Sequence, residues 1–257
     1  MDSISVFAGL SLPVFALAFA VAFLGGFVKG AVGFAMPMIM ISGLASFMAP
    51  ELALAGLILP TVLSNLLQAF RGGIAAAWRA VRAIRVYLIV GGVLLIASAQ
   101  LVRSVDERFL YLLIGLPVTV FGLIQLAGFH PRVPPRYRFA AEVGLGAVSG
   151  VVGGISGVWG PPLVLYLTSV DTPKTEQLRT LGVAFALGAV LLLATHLQTG
   201  VLNRATLPFS AAMAVPAMGG VYFGLRLHDR LDQARFRRLT LLVLIVAGLN
   251  LLRRAAF

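Results

Sequence analysis

The stretch GGISGVWGPP, residues 153–162, decides how this chain is interpreted. It holds four glycines and two prolines in ten residues, yet strongly apolar sequence lies on both sides of it. Both residue types disfavour a continuous helix, because glycine is flexible and proline lacks an amide donor. The stretch therefore predicts a broken backbone in the middle of an apolar region.

The composition predicts a membrane protein. Of the 257 residues, 60% are hydrophobic and only 11% are charged, and the mean hydropathy is +0.99. Soluble domains carry about 25% charged residues, and about 20 apolar residues in a row suffice to cross a bilayer. The chain has no cysteine, which excludes disulfides and thiolate metal sites. Ten apolar segments are predicted, at residues 5–31, 36–49, 51–70, 84–102, 108–128, 139–154, 159–169, 178–198, 206–225 and 239–256.

The two halves of the chain share a pattern of small residues. The spacing G-x-x-x-G-x-x-G at residues 26–33 recurs at residues 146–153. Each motif is followed by a proline, Pro37 or Pro161, that opens a short apolar segment. The predicted organisation is a first transmembrane repeat at 1–128, a basic cytoplasmic linker at 129–138 and a second transmembrane repeat at 139–257.

The basic residues favour inverted halves over parallel ones. If each broken stretch enters the membrane and returns as a hairpin, the loops at 71–85, 129–138, 170–179 and 226–238 share one side. These loops hold fourteen Lys and Arg residues against five on the other side, whereas parallel halves divide them ten against nine. Cytoplasmic loops are enriched in Lys and Arg. We therefore predict an all-α polytopic membrane protein of two inverted repeats, each with a Gly/Pro-broken helix or hairpin and three full spans.

The two broken segments predict a binding site for a small anion. Unpaired backbone groups at membrane depth are tolerated only inside the protein or beside a polar cavity, and paired breaks in inverted halves are typical of transporter sites. Short helices that begin at Pro37 and Pro161 direct partial positive charge and free N–H groups into the breaks. The alternative is close helix packing, which the G-x-x-x-G spacing also supports.

Polar side chains near the breaks are the candidate ligands. Lys29 falls inside the first apolar segment, where an ionisable residue predicts a functional site, with snorkelling to the interface as the alternative. Asn65 and Gln68 share a helix face, which suits ligand binding and interhelical hydrogen bonding equally well. The predicted substrate-binding residues are Lys29, Gly30, Gly33, Phe34, Met36, Pro37, Asn65, Gln68, Gly153, Gly154, Ser156, Gly157, Trp159, Gly160, Pro161 and Arg179.

Several candidates have two interpretations. Arg179 either faces a cavity or marks a cytoplasmic loop, and Trp159 either lines a pocket or anchors the chain at the interface. Glu51 and Glu142 are the carboxylates closest to apolar segments and are candidate proton sites. The net charge of +11 is explained by loop arginines, so nucleic-acid binding is not predicted. The sequence has no G-x-x-x-x-G-K-S/T loop and offers no convincing acid–base pair, so we predict no enzyme activity and no cofactor.

Four stretches resemble the TauE/SafE sulfite exporter family. They are GFVKGAVGFAMPMIM at 26–40, LPTVLSNLLQ at 59–68, GAVSGVVGGISGVWGPPLVLYL at 146–167 and QLRTLG at 177–182. Ala35 stands where many members have a second glycine after the phenylalanine. The resemblance extends over nearly the whole chain and implies secondary transport of a small sulfur-containing anion, such as sulfite, a sulfonate (for example sulfoacetate) or thiosulfate.

The expected protein is a multi-pass secondary transporter of the cell inner membrane. It binds its anion near the midplane, between the two broken segments, and works by alternating access. The expected partners are the small anionic substrate and the lipid bilayer; a coupling proton or ion and a homo-oligomer are left open by the residues. The alternatives are a passive anion channel and a membrane scaffold that transports nothing.

Overall fold

The computed structural model describes residues 5–7, 10–99, 107–129, 132–156, 159–198 and 200–256. The chain divides into unit 1, which is Met1–Gly73 with Leu181–Leu231, and unit 2, which is Ile74–Thr180 with Asp232–Phe257. The helices are α1 (Leu12–Val32), α2 (Met36–Leu44), α3 (Pro50–Phe70), α4 (Ile74–Ala83), α5 (Arg85–Ala99), α6 (Glu107–Leu126), α7 (Arg138–Ser156), α8 (Gly160–Ser169), α9 (Lys174–Gln198), α10 (Leu207–Arg230) and α11 (Gln233–Ala256), with a short 3-10 helix at Pro135–Tyr137.

The predicted apolar segments correspond to helices, with two differences. The first helix begins at Leu12 and not at residue 5, because Ser5–Phe7 and Leu10–Ser11 form two short antiparallel strands, β1 and β2. Helix α4 has no counterpart among the predicted segments, because Arg79 and Arg82 interrupt the apolar sequence there. The prediction of a helical protein is confirmed.

Helix α5 carries an apolar stripe on the outside of the protein. Ile89, Val93 and Ile96 are 64%, 62% and 67% exposed, and their spacing of four and three residues places them on one face. Large exposed apolar patches are rare on soluble proteins. Asn65 and Gln68, in contrast, are almost completely buried. This inside-out distribution is expected of a protein that is solvated by lipid.

Four of the described helices are long and apolar enough to cross a membrane: Leu12–Val32, Glu51–Phe70, Leu207–Arg230 and Gln233–Ala256. Helices α4 and α5 count as a fifth candidate span when they are taken together, with a bend of 73° between them. The six full spans predicted exceed this number, in part because α5 alone has 15 residues, fewer than the roughly 20 that a span needs.

Unit 1 is built on a close contact between α1 and α10. A Cβ on Gly220 or Gly224 of α10 would collide with the carbonyl oxygens of Phe23 and Phe27 on α1, respectively. Later residues of α1 therefore lie beside later residues of α10, so the two helices run parallel. Helix α3 is parallel to α10 as well, because Leu59 donates its N–H to Ser210 near the start of α10 while the ends of both helices also meet.

Unit 2 also contains two parallel helices in close contact through glycines, one from each half of the chain. A Cβ on Gly146 of α7 would lie 3.0 Å from the Tyr87 carbonyl oxygen on α5, and a Cβ on Gly150 would collide with the Gly91 carbonyl oxygen. Helices α5 and α7 are therefore parallel. In unit 1 a first-half helix packs on a second-half helix, and in unit 2 the corresponding pair does the same. Each compact unit thus draws helices from both of the predicted repeats.

Both glycine-rich motifs are followed by a helix that turns back on the one before it. Gly25 of α1 faces Met36 and Met40 of α2, whereas Gly43 near the end of α2 faces Val21. Helix α2 therefore runs antiparallel to α1. Helix α8 returns along α7 in the same way, with its first residues beside the end of α7 and its later residues beside the start.

Candidate functional site

The first break lies between α1 and α2. Helix α1 ends at Val32, and Gly33 follows in a left-handed conformation with φ 94°. Ala35 is left-handed too, with φ 74°, and α2 then begins at Met36 with Pro37 in its first turn. Left-handed backbone suits glycine but is unfavourable for alanine, so the break holds local strain at Ala35.

The break contains backbone N–H groups that make no helical hydrogen bond. Gly33 donates its N–H to the Lys29 carbonyl at 2.7 Å. Within the described part of the chain, the N–H groups of Phe34, Ala35 and Met36 donate to no backbone acceptor, and all three residues are buried. Orphan N–H groups at the start of a helix suit an anion, because they add to the positive end of the helix dipole.

Lys29 lies one helical turn before the break, and its side chain is enclosed by unit 1. The residue is 1% exposed. Its ammonium group donates to Oδ1 of Asn65 on α3 at 2.5 Å and lies 5.7 Å from the centre of the Phe185 ring on α9. The ring face attracts a cation through its negative electron density. Phe185 was missed by sequence analysis, because an apolar residue in the middle of an apolar segment carries no local signal.

The charge of Lys29 has no carboxylate counterpart among the described residues. An amide oxygen and an aromatic ring supply only partial negative charge. A buried cation is costly unless it is paired and hydrogen-bonded. Lys29 therefore presents a positive potential inside unit 1 that a small anion can neutralise.

Asn65 and Gln68 both contact Lys29, in agreement with their position on one face of α3. Asn65 also donates from Nδ2 to the Phe185 carbonyl at 3.2 Å, and Gln68 donates from Nε2 to the Lys29 carbonyl at 3.0 Å. Oε1 of Gln68 is buried and has no hydrogen-bond partner within the described residues. The two amides thus connect α1, α3 and α9 around the ammonium group and leave one acceptor free.

The approach of α9 to this group requires Gly182. A Cβ at residue 182 would lie 2.6 Å from both the Gln68 Cβ and the Ala69 nitrogen, well inside van der Waals contact. Gly182 closes the motif QLRTLG, but its spacing alone did not identify it as a packing residue. Any side chain here would push α9 away from α3 and displace Gln68.

Two predicted ligands of the first segment have packing contacts. Gly30 faces α10, and a Cβ on it would collide with the Val221 carbonyl oxygen. Met36 is completely buried in a core cluster that also contains Met40 and Leu44. Gly30 therefore serves close helix packing, the alternative role of the G-x-x-x-G motif. Gly33 and Phe34, in contrast, lie in the break itself.

The second break is shorter than predicted. Helix α7 continues through Ser156, so Gly153, Gly154 and Ser156 lie in its last turn and not in an irregular segment. Glycine only weakens a helix, whereas proline removes a backbone hydrogen bond and crowds the preceding turn, and the break comes just before Pro161. Gly157 lies outside the described residues.

Trp159 closes the second break from the side of α8. Its carbonyl accepts a hydrogen bond from the Ser149 hydroxyl at 2.8 Å, and a Cβ on Gly153 would lie 2.9 Å from the Trp159 Cβ. Gly160 and Pro161 form the first turn of α8. Ser149 occupies the position in its motif that Lys29 occupies in the other, so only the first motif carries a cation.

Arg179 lies in the part of α9 that belongs to unit 2. It is half-buried, and its Nε has no hydrogen-bond partner among the described residues. Gln177 is 3% exposed, and its Nε2 also lacks a partner there. The sequence motif QLRT contains both residues, but only Arg179 was predicted to bind the anion. Arg179 Nε and Gln177 Nε2 are therefore free to donate hydrogen bonds to an anion.

The two candidate proton sites differ in their surroundings. Glu142 on α7 is half-buried and accepts a hydrogen bond from the Tyr166 hydroxyl at 2.8 Å, and the Tyr166 ring stacks on Tyr87. Glu51 is exposed in the first turn of α3. Among the described residues, no group of three or more His, Cys, Asp or Glu side chains could hold a metal ion.

Comparison with known proteins identifies the family. A search of the curated proteins and a search of the solved structures each found no match. A family model described as Sulfite exporter TauE/SafE matches residues 18–251, a range that contains Lys29, both breaks and Arg179. Proteins of this family are membrane transporters and not enzymes, in agreement with the apolar helices. The chain is therefore a multi-pass membrane protein that belongs to the TauE/SafE sulfite exporter family.

Proposed function

We propose that this protein is a secondary transporter of the inner membrane that carries a small sulfur-containing anion: sulfite, a sulfonate such as sulfoacetate, or thiosulfate. The observation that carries the proposal is the buried ammonium group of Lys29, which has no carboxylate partner among the described residues. An oxyanion bound there offsets the cost of burying the charge, because it supplies the missing negative partner.

The surroundings of Lys29 support an oxyanion. The N–H groups of Phe34, Ala35 and Met36 follow within two helical turns along the chain and have no backbone acceptor among the described residues. These N–H groups would donate hydrogen bonds to the oxygens of the anion, while the Lys29 ammonium group would supply a full positive charge. Trp159, Pro161 and Arg179 remain predicted contributors from the second half of the chain.

The distribution of basic residues supports inverted repeats. Inversion places fourteen loop Lys and Arg residues on one side of the membrane and five on the other, as expected when cytoplasmic loops are enriched in basic residues. The two halves then have opposite orientations, and alternating access arises when two such inverted repeats exchange conformations.

The test is flux of labelled anions in proteoliposomes. A secondary transporter gives counterflow: internal unlabelled sulfite or thiosulfate accelerates uptake of the labelled anion from outside. A passive channel gives flux without counterflow, and a scaffold gives no flux. Mass analysis of the transported anion checks that it is chemically unchanged, as expected of a transporter.

The choice of substrate is tested by thermal stability in detergent. Sulfite, thiosulfate, sulfoacetate and carboxylates of matched size are compared at equal concentration, because an anion that binds only the folded protein stabilises it more, the tighter it binds. We expect the sulfur oxyanions to raise the melting temperature more than the carboxylates. Equal shifts for all anions at equal ionic strength would contradict specific binding.

A further inference from the structure

Helix α4 is an amphipathic helix that the transport site does not use. It is bent by 73° from α5, so it does not continue the direction of that helix. Ala76, Ala77 and Ala80 are buried against the protein. On the opposite side, Ile74 and Trp78 are 78% and 55% exposed. One face of α4 thus has no protein partner within the described residues.

The exposed side of α4 combines apolar and basic residues. At about 100° per residue, Ile74 and Trp78 lie together on the helix surface, and Arg82 and Arg79 follow next to them. The guanidinium group of Arg82 stacks on the Trp78 ring, with 5.3 Å between the Arg82 Cζ and the ring centre. Among the described residues, Arg79 and Arg82 form no ion pair with a carboxylate, and both are exposed.

These residues place α4 at the surface of the bilayer and not inside it. Two unpaired arginines exposed to hydrocarbon would be strongly unfavourable, which argues against a re-entrant loop. A helix with tryptophan on one flank and arginine on the other is typical of the membrane interface. At this depth the arginines face lipid headgroups, and guanidinium binds phosphate through two parallel hydrogen bonds.

We propose that α4 is a binding site for anionic lipid headgroups, in which Arg79 and Arg82 bind the lipid phosphate and Ile74 and Trp78 enter the acyl boundary. Charge complementarity selects the occupant, because anionic lipids are attracted to basic residues next to a span. Each arginine contributes a preference of about five-fold, so the pair favours an anionic over a zwitterionic lipid by about 25-fold.

The test uses Trp78 as an internal probe. The chain has two tryptophans, so Trp159→Phe leaves Trp78 as the only one. This variant is reconstituted in phosphatidylcholine vesicles that contain a small, equal fraction of brominated phosphatidylglycerol or brominated phosphatidylcholine. We expect brominated phosphatidylglycerol to quench Trp78 more strongly, and bromines near the headgroup to quench it more than bromines deep in the chain.

Two arginine pairs separate a site on α4 from general surface charge. Arg79→Gln with Arg82→Gln should bring the quenching by the two lipids to the same level, because the phosphate ligands are gone. Arg253→Gln with Arg254→Gln, an exposed pair at the end of α11, should leave the preference intact. Equal quenching by both lipids before mutation, stronger quenching by deep bromines, or a preference that survives the loss of Arg79 and Arg82 would each overturn the proposal.

Discussion

Replacement of Lys29 by methionine tests whether its buried charge serves the substrate. Methionine has nearly the same length and volume, so the packing against Phe185 is retained while the ammonium group is removed. A hydrogen bond to a charged group contributes about 1.5–3 kcal/mol. Because about 1.4 kcal/mol corresponds to a factor of ten, anion affinity should fall by about 10- to 150-fold.

The same substitution should change stability little. Replacing a buried ion by an apolar residue often stabilises a protein by about 1–4 kcal/mol, because the cost of desolvation is removed. Against this, Oδ1 of Asn65 loses its 2.5 Å hydrogen bond from Lys29, and a buried unpaired acceptor costs about 1–3 kcal/mol. The two contributions largely cancel. Lys29→Met should therefore lose anion binding and transport while its melting temperature stays close to that of the unmodified protein.

The assay is anion-dependent thermal stabilisation together with counterflow in proteoliposomes. Lys174→Met is the matched control, because Lys174 is the other lysine of the chain and lies in the first turn of α9. The control should retain the anion response. An anion affinity of Lys29→Met within two-fold of the unmodified protein would refute the assignment of Lys29 to the site. A large loss of stability would refute the account of its burial.

Three further substitutions, one of them with a control variant, test other parts of the structure. Ala35→Gly should raise the unfolding free energy by up to about 1 kcal/mol, because φ 74° is strained for alanine; a lower stability in thermal unfolding would contradict that strain. Gly224→Val should destabilise the protein by more than about 3 kcal/mol, since the added atoms meet the backbone of α1, whereas Gly128→Val, where the added Cβ has open space, should cost less despite φ 97°. Arg179→Gln should reduce anion affinity by about ten-fold or more if its Nε binds the substrate; unchanged counterflow would return Arg179 to a loop role.

The two breaks show which residue types in the sequence predict helix boundaries and which do not. Proline at residues 37 and 161 predicted the start of a short helix in each half, and α2 and α8 contain these prolines in their first turns. Glycine carries a weaker signal, because a helix accepts it at modest cost. Gly153 and Gly154 are therefore helical, while Gly33, at the corresponding place, ends α1 in a left-handed conformation. Glycine is therefore helical in one motif and ends the helix in the other, because its conformation depends on the residues packed around it.

The site around Lys29 was likewise predictable from the sequence only in part. A lysine within an apolar segment, and two amides three residues apart, are visible in the sequence because each depends on residue type and helical spacing alone. That Gln68 holds the Lys29 carbonyl and that Phe185 covers the ammonium group depends on which helices meet. Phe185 is 120 residues from Asn65 in the chain, and no local pattern specifies that contact.

The sequence by itself determined the membrane class, the helical content and the family, because hydropathy, helix-breaking residues and motif spacing are properties of short stretches. Tertiary structure decided the rest. It assigned α1 to α10 and α5 to α7, pairs that join the two halves, because glycines on each partner permit backbones to touch. It also enclosed Lys29 without a carboxylate among the described residues. Such pairings depend on the fit between surfaces far apart in the chain, which composition and periodicity do not encode.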